Sequence, residues 1–210
     1  MIPIEKYRDD PCGTLSIPYW KAKNLSVPPN MRIVHERDFD AALLEKYADR
    51  RFFRLIHRLE NIPEYNAADF EFGRISADML GELSDMINRS YEHMSVGISV
   101  EQLKAMTASE VYRPELWIGA FADGKIIGSI ICEFDKDTDE AAIDWLQVLP
   151  EYRNCGIASA LVCRALNKIR GAADFATVSG ECDNPTDPEC VYRKCGFTGD
   201  DVWHILKARE

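Results

Sequence analysis

The segment Val148-Leu149-Pro150-Glu151-Tyr152-Arg153-Asn154-Cys155-Gly156-Ile157-Ala158 is the part of the chain best equipped for chemistry. The apolar run before it reads as a strand ending at Val148, and a helical pattern begins near Gly156. The first turn of a helix has amide N–H groups without intrahelical partners, aligned with a favourable dipole. A diphosphate fits there if no side chain blocks the approach. Gly156 removes that side chain, Ala158 stays small and Arg153 adds a positive charge. The same arrangement also serves as a plain strand-to-helix turn, so the local physics gives an anion site and no more.

Other reactive side chains have simpler readings. Cys155 sits inside this loop with no His nearby in sequence, which makes it a loop residue and not a nucleophile. Cys182, Cys190, Cys195 and His204 are separated by eight, five and nine positions. That spacing lacks the close Cys-x-x-Cys pair of zinc sites, so no metal is expected. His57 is expected on the half-exposed face of a helix, and His93 in a loop after Tyr91. The seven cysteines are an odd number within apolar patterns, consistent with reduced thiols.

The elements that must position the loop follow from pattern. Residues 1–30, with Pro3, Pro11, Pro18, Pro28 and Pro29, read as extended or turn-like. Asp40 can cap a helix through about Glu60, since Leu44, Tyr47, Phe52, Leu55, Ile56 and Leu59 recur at near-helical spacing. Phe70 to Ile75 reads as a strand. Ser76 can then cap a helix carrying Met79, Leu80, Leu83, Met86 and Ile87, and a second helix runs from Val100 to about Ser109. Leu116–Ala122 and Lys125–Glu133 are strands joined at Asp123-Gly124, a hairpin signal. Strands at Ala141–Val148 and Phe175–Ser179 flank a helix from Gly156 to about Arg170. Asp187, Pro188 and Gly196 frame a last helix, and Val202–Lys207 closes the sheet. Antiparallel strands followed by strand–helix–strand give a mixed α/β sheet with helices on its faces. The division is an N-terminal extension, 1–69, packed on a main domain, 70–210.

Composition narrows the function. The 210 residues carry a net charge of −10, and 46% are hydrophobic, ordinary for a globular chain able to bury a core. A pI near 5.0 excludes a general nucleic-acid binder. The apolar runs are too short to span a bilayer, and the charged first ten residues leave no signal-peptide region. The expected setting is cytoplasmic. The acidity is concentrated: residues 70–140 hold 14 acidic and 6 basic side chains. They read as solvated surface that could also favour a cationic amine.

Arg153-x-x-Gly156-x-Ala158, preceded by Val148-Leu149-Pro150-Glu151-Tyr152, resembles the Gln/Arg-x-x-Gly-x-Gly/Ala signature of the GNAT acetyltransferase superfamily. Tyr192-Arg193-Lys194-Cys195-Gly196-Phe197 is similar to that family's Tyr-x-Lys-x-Gly-Phe ending. The resemblance covers about residues 70–210 and leaves the first 69 unexplained. It implies a central, mostly antiparallel sheet with a parallel, splayed strand pair and helices on both faces. It also implies acetyl-CoA as co-substrate. Leu146 and Val148 would offer backbone hydrogen bonds to the pantetheine arm. Arg153 and the amides of Asn154, Cys155, Gly156, Ile157 and Ala158 would hold the pyrophosphate. Asn184 and Tyr192 would also contact the cofactor, although Asn184 stands one residue further from Tyr192 than in the commonest form. Tyr91, Glu92 and Met94 would touch the acceptor.

Acetyl transfer needs an unprotonated amine, a stabilised oxyanion and a proton for the leaving thiolate. The Val148 N–H would serve the second need and the Tyr192 phenol the third. For the general base, Asp144 lies four residues before Val148, so strand alternation would place both on one face, with Trp145 and Gln147 on the other. Glu133 on the neighbouring strand is the second candidate. The reading is an N-acetyltransferase acting on a primary amine, a small cationic molecule, with a homodimer left open. The rivals are an inactive acyl-CoA-binding sensor or interaction module, and a protein or peptide N-acetyltransferase.

Overall fold

A computed structural model of the chain describes residues 2–92 and 96–209. Three short helices come first: α1 (Ile4–Asp9), α2 (Pro11–Thr14) and α3 (Tyr19–Lys23). This corrects the extended reading of residues 1–30. Pro3 and Pro18 are N-caps and Pro11 is the first residue of α2, positions where the missing N–H costs nothing.

Strand β1 (Met31–His35) follows, then β2 (Tyr47–His57) where a helix was expected. Asp40 does cap, but only the 3-10 turn Ala41–Glu45. The chain continues as β3 (Glu71–Arg74), α4 (Leu80–Ser90), α5 (Val100–Thr107), β4 (Tyr112–Ala122) and β5 (Lys125–Asp135). Asp123 and Gly124 take φ of 50° and 73°, the two left-handed positions of a tight hairpin. Then come β6 (Glu140–Val148), α6 (Ile157–Ile169), β7 (Phe175–Glu181), α7 (Pro188–Lys194) and β8 (Thr198–Ala208). As its sequence suggests, α7 starts with Pro188 and its Asp187 side chain accepts from the Cys190 N–H.

The eight strands among the described residues form one sheet in the order β1-β8-β2-β7-β6-β5-β4-β3. β8 does not close it, because β1 pairs on its outer side. Strand β2 enters the interior, antiparallel to both β7 and β8. His57, at its end, is buried and not half-exposed: its Nδ1 accepts from the Leu59 N–H at 2.8 Å, and burial lowers its pKa.

The two faces of the sheet differ. Pairing and alternation put Phe53, Leu55, Ile143 and Val178 on the side of the main core, with Leu161, Val162 and Leu166 of α6. The opposite face carries Arg54, Glu140, Thr177 and Phe175. There α1–α3 bring Tyr7 and Tyr19 onto Phe175. Three of the acidic residues assigned to a solvated surface, Glu133, Asp135 and Glu140, are in fact buried on this side.

Candidate active site

Strands β6 and β7 run parallel and pair from Glu140↔Phe175 to Ile143↔Val178. Both continue further, to Val148 and Glu181, without pairing, so a cleft opens between them. The Leu149 N–H donates to Ile127 O of β5 at 2.9 Å. Alternation along β6 therefore turns the backbone groups of Leu146 and Val148 the other way, into the cleft. Their carbonyls already have protein partners. The Tyr91 hydroxyl donates to Leu146 O at 3.0 Å, and Arg153 Nε donates to Val148 O at 3.2 Å.

A cavity of about 150 Å³ occupies this cleft, with Tyr91, Asp144, Arg153, Gly180, Asn184 and Tyr192 among its walls. Gly180 matters by having no side chain, since a Cβ there would overlap the Phe53 ring of β2. Asn184 turns its side-chain oxygen to Thr186, accepting from the backbone N–H at 2.9 Å and from the hydroxyl at 2.8 Å. Tyr192 is buried beside Phe53 and Phe197. Burial drives its phenol well above the usual range, so it holds its proton at neutral pH. The Tyr91 phenol is pushed up to about 12, by burial against the opposing pull of Arg153.

At the mouth of the cleft, Gly156 is the N-cap of α6 with φ 79°, a left-handed value that favours glycine. No side chain caps the helix, and a Cβ on Gly156 would meet open space. Its first-turn amides are thus available to an anion. Ile157 is buried, Ala158 half-buried, and Asn154 and Cys155 lie on the exposed loop surface. Arg153 does not point outward. Its Nη2 donates to Ser90 O at 2.9 Å, so its guanidinium ties α4 to β6 beside the cleft.

The expected alignment of Asp144 with Val148 fails. Ile131 pairs with Trp145 and Cys132 with Ile143, so Asp144 is an extra residue in β6. Such a bulge reverses the alternation, placing Asp144 with Trp145 and Gln147 and opposite Val148. It falls where β6 and β7 part, and Asp144 still reaches the cavity wall. Glu133 lies behind it on β5, 3% exposed. Lys21 of α3 contacts Asp144 and lies 3.4 Å from Glu133 Oε2. Burial, then the Asp144 charge, push Glu133 up to about 7, against the pull of Lys21.

Lys21 carries no signal in the sequence; only the docking of α3 brings it here. Gly180 had one, as a glycine inside a strand. The other expectations distribute simply. Tyr91 is at the cleft and Glu92 follows it, whereas His93 and Met94 lie outside the described residues. Cys190 is half-buried and Cys195 buried, while His204 stands between Glu36 and Asp49 at 2.8 Å from each. Among the described residues no cluster of three or more His, Cys, Asp or Glu side chains could hold a metal ion.

Comparison with known proteins agrees with this architecture. Residues 113–199 match the model of the acetyltransferase (GNAT) domain. The N-alpha-acetyltransferase MAK3 of Arabidopsis thaliana is 33% identical over 87 residues, 40% of this chain and 45% of that protein. A GCN5-related N-acetyltransferase from Sphaerobacter thermophilus superposes with a TM-score of 0.69 at 18% identity, covering 90% of this chain and 64% of that one. The ribosomal-protein-S18-alanine N-acetyltransferase of Escherichia coli gives a TM-score of 0.53 at 16% identity, over 66% of this chain and 93% of its own. This chain thus spans less than two thirds of the first two proteins. The matched segment, residues 113–199, runs through the splayed strands and the glycine loop, and it is this segment that is similar to the GNAT acetyltransferase domain.

Proposed function

We propose that this chain transfers the acetyl group of acetyl-CoA directly to a primary amine. The observation that carries the reading is the unpaired length of β6 and β7, with backbone groups of Leu146 and Val148 facing the gap and both Tyr192 and Asp144 on its wall. The pyrophosphate would lie on the α6 amides from Asn154 to Ala158, the pantetheine arm along Leu146 and Val148, and Asn184 would contact the cofactor from the β7 side.

In this mechanism the acceptor ammonium loses a proton through water to Asp144 or Glu133. The free amine attacks the thioester carbonyl, and the Val148 N–H stabilises the oxyanion. Collapse breaks the carbon–sulfur bond, and the Tyr192 phenol protonates the leaving thiolate. Tyr192 regains its proton from solvent.

A small cationic acceptor is favoured by the two carboxylates at the site, Asp144 and Glu133, held against the single Lys21 ammonium. A peptide α-amine is the second reading, favoured by the sequence likeness to an N-alpha-acetyltransferase. The test has two stages. Calorimetric titration with acetyl-CoA should show saturable binding by the wild type and none by Gly156→Glu, which strains the loop and adds a negative charge. Thiol release is then followed with spermidine and with a tripeptide bearing a free N-terminus. Turnover of spermidine alone supports the small cationic amine; turnover of the tripeptide alone replaces it with a peptide substrate. No acetyl-CoA binding by folded protein sinks the transferase reading.

A further inference from the structure

The N-terminal segment is pinned to the sheet by Glu140, which accepts from the Tyr7 hydroxyl at 2.7 Å and the Tyr19 N–H at 3.4 Å. Asp144 is four residues further along β6, and α3 carries Lys21 to it. The ammonium also lies 5.2 Å from the Trp20 ring centre and within ion-pair distance of Glu133. The Lys21 side chain is 27% exposed. Although burial alone would lower its pKa, Asp144 and Glu133 outweigh that and raise it, which keeps the ammonium charged. Among the described residues, the buried Glu133 Oε2 has no hydrogen-bond partner, only the Lys21 ammonium at 3.4 Å. The groups facing Glu133 are Lys21 from α3, Asp144 and Glu140 from β6 and Tyr112 paired across from β4, while the adjacent Cys132 points to the other side of the sheet.

We propose that Lys21 is a positioning residue of the acetyl-transfer site, acting through Glu133 and Asp144, so that the N-terminal segment supplies part of the active site. The inference rests on the transfer reading above. Burial and the Asp144 charge both disfavour the Glu133 carboxylate. The Lys21 ammonium, in contact with Asp144 and 3.4 Å from Glu133 Oε2, works against both and keeps Glu133 within reach of ionisation. A base that titrates near the working pH is the most effective one. Without the Lys21 charge, nothing opposes the burial and the Asp144 charge that disfavour the carboxylate, and Glu133 remains protonated through neutrality.

A tether that merely held α3 would behave oppositely. Its loss would let water reach Glu133 and bring the carboxyl down towards the ordinary glutamate range. The direction in which the Glu133 midpoint moves therefore separates the two roles.

The experiment is a pH titration of the full chain labelled with carbon-13 at the glutamate carboxyls, the Glu133 signal being the one absent from Glu133→Gln. The wild-type midpoint is expected at about 7. Lys21→Met should move it up, and Lys21→Arg should leave it in place. With the amine that turns over in the panel above, the acid limb of kcat/KM should follow the carboxyl. A tenfold weaker acid leaves roughly fivefold less carboxylate at pH 7, so turnover of Lys21→Met should fall about fivefold there, with acetyl-CoA affinity unchanged. A downward or unmoved midpoint in Lys21→Met, with acetyl-CoA still binding and turning over, overturns the inference and leaves the transferase reading intact. An absence of acetyl-CoA binding by the wild type defeats the transferase reading instead.

Discussion

The two faces of the sheet are held by different physics. Under α6 and α7 the contacts are almost wholly apolar, with Phe53, Leu55, Ile143 and Val178 meeting Leu161, Val162 and Leu166. Under α1–α3, Arg54 is 1% exposed and 3.2 Å from Glu140, while its guanidinium also donates to the Tyr7 hydroxyl at 2.9 Å and to Ser179 Oγ at 3.1 Å. Apolar packing is non-directional and tolerates small shifts. A buried ion pair is not a strong source of net stability, yet removing one partner is costly. The first face supplies the bulk of the driving force. The second specifies where the N-terminal segment sits, and with it where Lys21 meets Asp144 and Glu133.

Breaking one face at a time separates these roles. Arg54→Met should have the largest effect, about 3–5 kcal/mol, because it strands Glu140 without its cation. Limited proteolysis should then cut within α1–α3 first. Leu161→Ala on the other face should cost about 2–5 kcal/mol by leaving a cavity, with the segment still protected. Equal protease sensitivity of the segment in both variants would erase the distinction between the faces.

Next in size is Tyr192→Phe. It removes only the hydroxyl from a packed aromatic, so melting temperature and acetyl-CoA affinity should hardly change. Turnover should fall about tenfold or more, the range expected for losing a general acid. Unchanged turnover would remove Tyr192 from the mechanism.

The smallest effect is a slope. Glu133 titrates at about 7 in the folded chain against an ordinary 4.5, so the folded state binds its proton more tightly than the unfolded one. That contribution to stability is complete below about 4.5 and is lost as pH rises through about 7. Denaturant unfolding across this window should show a shallower decline for Glu133→Gln than for the wild type. Identical slopes would mean that Glu133 is not held in its raised state.

The difference between the faces also explains what could be read from sequence. The glycine loop, the Asp123-Gly124 hairpin and the capped α7 are local features whose residue types determine their geometry, and they stand where the sequence puts them. Strand β2 read as a helix because Phe53, Arg54 and Leu55 are all buried, so no alternation of apolar and polar residues marks it. Tyr47, Phe52, Leu55, Ile56 and Leu59 meanwhile match helical spacing. A buried arginine is invisible to hydrophobic pattern, and so is the Lys21 contact, whose partners lie far along the chain. The bulge at Asp144 left no local mark either, and it alone reversed the face assigned to that side chain.

The interior position of β2 has a consequence for how the molecule comes to exist. Phe52 pairs with Glu181 and Tyr47 with Ala208, so this strand emerges from the ribosome long before either neighbour. Until β7 and β8 arrive, its backbone groups and its apolar side chains have no native partners, the state in which nascent chains are most exposed to mispairing. Closing so long a loop is entropically slow. The sheet is complete only when β8 reaches back to β1 and β2, so this half of the sheet depends on strands far apart in sequence.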